Sequence, residues 1–346
     1  MAFTSASGYN NLPNGNFSPT IFSQKAQLAF RKTAVCEDIT NSSYFGEIAN
    51  YGDSVRIMKE PEIQIRDYVR GKQITPQELA DEDYTLTIDQ AKEFAFQIDD
   101  IEAHQSHIDF MDLASDRAGY DLKDEYDSNV LGYMAGYELV SGTWTVRTSG
   151  PGTNSSDDAG TDEWLSDHKL DASDFGSGSG GDGIVLGVDG TYDATPLAVL
   201  NRFNRLMNSL SVPRDGRWVV MDPVFVEMLL DENSKLISAD YGDEGLMNGR
   251  ITSGKLRGFR LYESNNLPYI GTGPGTITTT AARSSANMGF ILCGHDSAVA
   301  TASQITKTES YRSQQTFADV VRGMQYFGRK ILRPEALLRA GYNVNK

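Results

Sequence analysis

The sequence predicts an α+β fold, and three features of it do so. Apolar residues alternate with polar ones at Val55 and Ile57, at Ile63 and Ile65, and at Tyr84, Leu86 and Ile88, the period of strands with one greasy face. Between Asp99 and Tyr137 the period changes. Ile101, Ile108, Met111, Ala118, Leu122, Tyr126, Val130, Tyr133 and Tyr137 fall at steps near three or four or their multiples, which line one face of a long helix. From Thr195 onward helical and strand patterns alternate, the mark of a compact mixed subdomain.

The elements follow in order. The opening MAFTSASGYNNLPNGNFSPT is dense in Asn, Ser, Gly and Pro, which favour turns over regular ladders, and reads as an extended arm. SQKAQLAFRKTAV, from Ser23, has helical character; in the passage after it Gly46 and Gly52 punctuate turns. A hairpin then spans the alternating strands. Between Lys59 and Asp83 it is crowded with charges of both signs, so that part cannot enter a core and must project into solvent or onto a neighbour. A short strand, EFAFQI, leads into the long helix. Gly119 and Gly132 lie inside it, each costing about 1 kcal/mol relative to alanine, and mark places for a kink or an early stop.

Residues 141–190 hold 11 of the 33 glycines and a run of aspartates, which predicts an insertion or surface loop region carrying short strands such as GTWTVRT and GIVLGV. The alternating part comprises TPLAVLNRFNRLMNSL, RWVVMDP, PVFVEMLLDE, GFRLYES, MGFILCG and DSAVATASQI. The tail TFADVVRGMQYFGRKILRPEALLRA reads as a strand pair interrupted by Gly323 and Gly328, with Pro334 closing the last strand.

Composition narrows the function. A chain of 346 residues is large enough for two or three subdomains, and 39% hydrophobic with 23% charged residues is ordinary for a folded protein. A formal net charge of −16 argues against tight or sequence-specific nucleic-acid binding, which needs clustered Lys and Arg. Cys36 and Cys293 are far apart and outside any CxxC spacing, so neither a disulfide framework nor a zinc knuckle is indicated. The first 24 residues carry no charged side chain and no apolar run is long enough to span a bilayer, which predicts a soluble, unsecreted protein with no membrane partner and disfavours a secreted adhesin.

Candidate chemistry is sparse. His104 and His107 stand three apart near Asp100, Glu102 and Asp109, a spacing that can share a metal, but there is no HExxH and no third histidine nearby; a solvated helix face explains them better. GSGSGGDG at residues 176–183 lacks the Lys-Ser or Lys-Thr of a phosphate cradle and the spacing of a nucleophile elbow. CGHDS places Cys293 beside His295 and Asp296, a nucleophile with a base only if close sequence neighbours face one another; burial of Cys293 after GFIL is the simpler reading. No catalytic, cofactor-binding or metal-binding residue is assigned, and no cofactor is implied.

Three stretches, taken together, resemble the major capsid proteins of tailed bacteriophages, the shell proteins of the Hong Kong 97-like fold. They are DEDYTLTIDQAKEFAFQIDDIEAHQ, ending at Gln105, RDGRWVVMDPVFVEMLLDE at 214–232, and SAVATASQITKTESYRSQQTFADVVRGMQYFGRKILRPEALL at 297–338, the last being the most specific. The resemblance covers nearly the whole chain and rests on the ordered combination, since apolar strands and turns are individually soft signals. It implies an N-terminal arm with a short helix (1–50), an extended two-stranded loop (51–92), a peripheral domain with a long spine helix (93–140), the glycine-rich acidic region (141–190) as an elaboration at a surface or local axis, an axial domain (191–304) and a return to the peripheral domain (305–346).

The function so implied is structural: self-assembly into pentamers and hexamers that form an icosahedral shell around packaged double-stranded DNA. The partners are other copies of the chain, with a scaffolding protein, a portal and a decoration protein; the place is the virion, with the host cytoplasm before assembly. An encapsulin-like cellular nanocompartment shell is the alternative, followed by a hydrolase using Cys293 or a metal enzyme using His104 and His107. Arg66, Arg70 and Lys72, basic residues on the projecting loop of an acidic protein, are the candidate intersubunit contacts. Lys59 and Lys72 sit where some relatives place a linking lysine, but no matched Asn and Glu pattern accompanies them, so no covalent cross-link is expected.

Overall fold

The computed structural model describes residues 34–43, 54–58, 63–68, 70–71, 73, 76–78, 83–99, 110–140, 142–146, 168–176, 183–187, 192–230, 246–247, 250–251, 255–270, 288–313 and 317–344. The expected N-terminal arm and the helix expected from Ser23 lie outside them, up to residue 33. A short helix α1 (Cys36–Ile39) comes first. Strand β1 (Ser54–Met58) follows, then β2 (Asp83–Asp99), helix α2 (Phe110–Ala135) and a hairpin of β3 (Tyr137–Val140) and β4 (Thr143–Val146).

Strand β2 joins two stretches that the sequence presents separately, Tyr84 to Ile88 and EFAFQI. Between them Asp89 points outward, while Gln90 and Lys92 lie on a face that is only half-buried there and lets polar side chains reach water, so they do not break the strand. The alternation at Ile63 and Ile65 produces no strand: residues 63–68 have no ladder partner. The long helix occupies Phe110–Ala135 rather than starting at Asp99, which ends β2. Tyr137 belongs to β3, because Gly136 at φ 79° turns the chain out of the helix.

Neither glycine interrupts α2. Gly132 is required by packing: a Cβ there would lie 2.6 Å from the Trp144 ring of β4, so its absence lets the β3–β4 hairpin fold back onto the helix. Gly119 has nothing within 4 Å and is simply tolerated.

The described parts of the glycine-rich region do more than form a surface loop. Strand β5 (Lys169–Leu170), a 3₁₀ turn (Ala172–Phe175) capped by Asp171, and β6 (Ile184–Leu186) all follow, and β5 and β6 pair in parallel with the last strand of the chain. Leu170, Ala172, Ile184 and Leu186 are buried.

Next come α3 (Pro196–Ser209), β7 (Arg217–Met221) and α4 (Pro223–Leu229). Both helices start as their sequences prescribe, with proline in the first turn and an N-cap ahead of it: the Ala198 N–H donates to Thr195 Oγ1 at 3.3 Å and the Phe225 N–H to Asp222 Oδ1 at 3.1 Å. Val199, Leu200, Phe203 and Met207 form the buried stripe of α3.

Short strands β8 (Leu246–Met247), β9 (Arg250–Ile251) and β10 (Lys255–Leu256) precede β11 (Phe259–Glu263) and β12 (Tyr269–Ile270). The chain then runs through β13 (Met288–His295), β14 (Val299–Arg312), β15 (Ala318–Ile331), a 3₁₀ turn (Pro334–Ala336) and β16 (Leu337–Val344). Gly323 and Gly328 do not interrupt β15, and Pro334 stands before the last strand instead of closing it.

Two sheets result. The larger has the order β10-β11-β7-β13-β16-β5, with β12 on β13 and β6 on β16. Its strands are nearly all apolar on both faces, and with α3, α4 and the C-terminal half of α2 they bury the main core, including Trp218, Phe225, Phe259 and Tyr342. The smaller sheet is antiparallel, β1-β2-β15-β14. Helix α2 is fixed to it by the Tyr126 ring meeting Phe327 edge-on at 5.2 Å and by the Arg329 guanidinium 5.0 Å over the Tyr133 ring.

Candidate intersubunit surface

The four-stranded sheet carries a projecting loop. Five residue pairs join β1 to β2, from Ser54 opposite Thr87 to Met58 opposite Asp83. Their root is held by a second, smaller core in which Leu86 and Ile88 bury against Ala300 and Ala302, with Val55, Ile57, Tyr326 and Leu332 packed around them. At the root, β15 passes β2 with a shift of register between Phe327 and Gly328, and Gly328 takes the close approach to the Thr87 carbonyl that the shift demands.

Beyond the root the loop leaves the sheet. Arg70 and Gly71 make a turn, with Gly71 at φ 86°, and the Gln64 N–H donates to Gln77 Oε1 at 3.0 Å, linking the two limbs. Arg66 therefore lies on the outgoing limb and Arg70 at the turn, both exposed. Lys72 and Lys59 lie outside the described residues. Around these arginines Met58, Ile63, Ile65 and Tyr68 are 82%, 70%, 98% and 77% exposed, as the charges crowded between Lys59 and Asp83 predict for the last three. The alternation at Ile63 and Ile65 makes no buried strand face, and these side chains stay exposed. Four large apolar residues exposed on one element form a patch rather than scattered exposure.

A groove of about 500 Å³ opens between the N-terminal half of α2 and β2. Phe94, Phe96, Ala118 and Leu122 give it an apolar lining, and the two phenyl rings stack with centroids 6.2 Å apart. Ion pairs flank it: Lys92 Nζ with Glu125 Oε1 at 2.6 Å, and Arg117 Nε with Asp121 Oδ1 at 2.9 Å. On the opposite side of α2 the buried Asp127 gathers three segments. Its Oδ1 accepts from the Val35 and Cys36 N–H groups at 2.8 and 2.9 Å, and its Oδ2 from Asn266 Nδ2 at 2.9 Å.

Structural comparison matches this arrangement over its full length. A chain from Mycobacterium phage Che8 superimposes with a TM-score of 0.65 at 24% identity, covering 94% of this chain and 97% of that one. The capsid of Ralstonia phage GP4 matches with a TM-score of 0.62 at 13% identity, covering 99% of both chains, and the capsid of cyanophage P-SCSP1u with 0.61 at 18%, covering 95% and 94%. This is the tailed-phage capsid fold. No family model matches the sequence, and no curated protein does.

Within the capsid fold the residues weighed for chemistry occupy structural positions. Cys293 is fully buried on β13, and burial pushes its thiol well above the ordinary range, the reverse of what a nucleophile needs. Both nitrogens of His295 are engaged: Nδ1 lies 2.9 Å from Ser297 Oγ and Nε2 2.8 Å from the Asp215 carbonyl. Asp296 pairs with Arg260. The CGHDS stretch thus ends β13 and turns the chain into β14, with His295 tied to the segment ahead of β7, instead of assembling a catalytic triad. His104 and His107 lie outside the described residues, and among the described residues no cluster of three His, Cys, Asp or Glu side chains is placed to hold a metal.

Proposed function

We propose that the chain is a major capsid protein of a tailed bacteriophage. Copies of it assemble through pentamers and hexamers into an icosahedral shell around double-stranded DNA, working as a structural element of the virion and not as an enzyme. Assembly in the host cytoplasm engages a scaffolding protein and a portal, and a decoration protein completes the particle. The observation that carries this reading is the projecting loop, whose large apolar side chains and arginines are exposed on a subunit that otherwise buries its core in two sheets.

The capsid fold over the whole chain length supports it, and so does a net charge of −16, which leaves a shell lining with little affinity for phosphates. The loop is the intersubunit element: Ile63, Ile65 and Tyr68 supply apolar contact while Arg66 and Arg70, with Lys72, meet carboxylates of the neighbouring copy. Sedimentation velocity over a salt series tests the reading. Large discrete species that diminish as salt rises are the expected result; one subunit-sized boundary under every condition, scaffolding protein included, would refute it.

A further inference from the structure

The groove between α2 and β2 is apolar at its centre and open, and both cations that line it are already paired. Lys92 is paired with Glu125 and Arg117 with Asp121, with Glu93 as a further carboxylate, so what the centre of the groove offers an occupant is apolar contact. The projecting loop of another copy mixes Arg66, Asp67 and Arg70 with its apolar residues. The first 24 residues of the chain match what the groove offers: they carry no charged side chain, and Leu12, Phe17, Ile21 and Phe22 are apolar.

The same segment starts from the right place. The described chain begins at Ala34, and its next two residues are stapled by their N–H groups to Asp127 on α2, two positions along the helix from Glu125 at the groove. Two residues are about 200° around a helix, so the arm's root and the groove lie on opposite sides of one cylinder roughly 10–12 Å across. The 12 residues from Phe22 to Ala34 reach up to roughly 40 Å when extended, ample to pass around it. An arm tethered this close meets its own groove at an effective concentration in the millimolar range, ahead of any arm from solution.

We infer that the α2–β2 groove is the seat of the chain's own N-terminal arm, filled by apolar side chains of the segment Leu12–Phe22. The seated arm covers Phe94, Phe96 and Leu122 in the unassembled subunit. The inference concerns the subunit alone and stands or falls independently of assembly.

Thiol labelling of the full-length protein tests it. The two native cysteines are buried, so a maleimide reads an Ala118→Cys reporter in the groove, with Ala114→Cys as a second reporter if the first does not fold. In dilute subunits the reporter should label roughly tenfold or more slowly than in the same protein carrying Phe17→Asp and Phe22→Asp, with the protection independent of protein concentration. Rapid labelling with the native arm would overturn the inference. So would protection that grows with concentration, which places the arm of a second copy in the groove, or protection released by Ile65→Asp instead of the arm substitutions, which places the projecting loop there.

Discussion

Gly328 of β15 lies against the Thr87 carbonyl of β2 so closely that a Cβ on residue 328 would fall well inside 3.0 Å of that oxygen. The obstacle is backbone, which cannot swing aside as a side chain can, and it sits where the projecting loop is rooted. Gly328→Ala should therefore destabilise the protein by about 1–3 kcal/mol, as overpacking does. Gly119→Ala, in a helix interior with nothing within 4 Å, should stabilise it by about 1 kcal/mol. Chemical denaturation of the two variants checks the opposite signs.

Asp127 is fully buried and holds the root of the arm, the spine of α2 and the Asn266 loop together through one carboxylate. Asp127→Ala strands two backbone N–H groups and leaves the Asn266 amide only its bond to Asp124, and should cost about 3 kcal/mol. Thermal melts measure the loss. Faster hydrogen exchange confined to residues 34–39 and 264–268 in the surviving fold identifies its cause.

Asp222 caps α4 and accepts the Tyr342 hydroxyl proton in a hydrogen bond, yet burial outweighs these bonds and holds its carboxyl above the usual carboxylate range. The folded state then keeps this proton longer than the unfolded chain does. Stability from this group is present below the unfolded value, about 4, and is lost as pH rises through the folded one. Asp222→Asn retains the cap and the acceptor without the titration. Its stability relative to wild type should improve across that window and level off above it, as read from denaturation midpoints at stepped pH.

Much of the fold was legible because it is written locally. Thr195-Pro196 and Asp222-Pro223 announce α3 and α4, and RWVVMDP and MGFILCG are continuous apolar runs that become the central strands β7 and β13. What was missed depends on partners distant in sequence. Strands β5 and β6 are two and three residues long and exist only as parallel partners of β16, so a glycine-rich stretch hid part of the main sheet. Gly323 and Gly328 read as breaks, but each makes room for a neighbour on β2, the Phe94 ring and the Thr87 carbonyl. At the candidate surface the arginines were visible as charge. The exposure of Ile63, Ile65 and Tyr68 followed from the charges crowded between Lys59 and Asp83; that of Met58, at the end of β1, did not, since alternation alone does not reveal whether a greasy face finds cover.

Arg70 stands at the turn of the projecting loop, away from every core, so its replacement separates assembly from folding. Arg70→Glu should leave the subunit soluble with an unchanged circular dichroism melt while lowering particle yield. A single exposed pair contributes roughly 0–1 kcal/mol, and a shell repeats it in every subunit. Misfolding, or assembly equal to wild type at low salt, would remove the loop from the role assigned to it.

The absence of a matched Asn and Glu pattern around Lys59 and Lys72 predicts particles held by non-covalent contacts alone. Denaturing gels of mature particles should show a single subunit band. A reductant-resistant ladder of higher masses would establish a covalent link.

Electron microscopy of the expressed, purified protein, with and without a scaffolding protein, tests the central claim most directly. The account predicts closed icosahedral shells or five- and six-membered capsomer rings built from this chain. A strictly monomeric protein across all assembly conditions would contradict it.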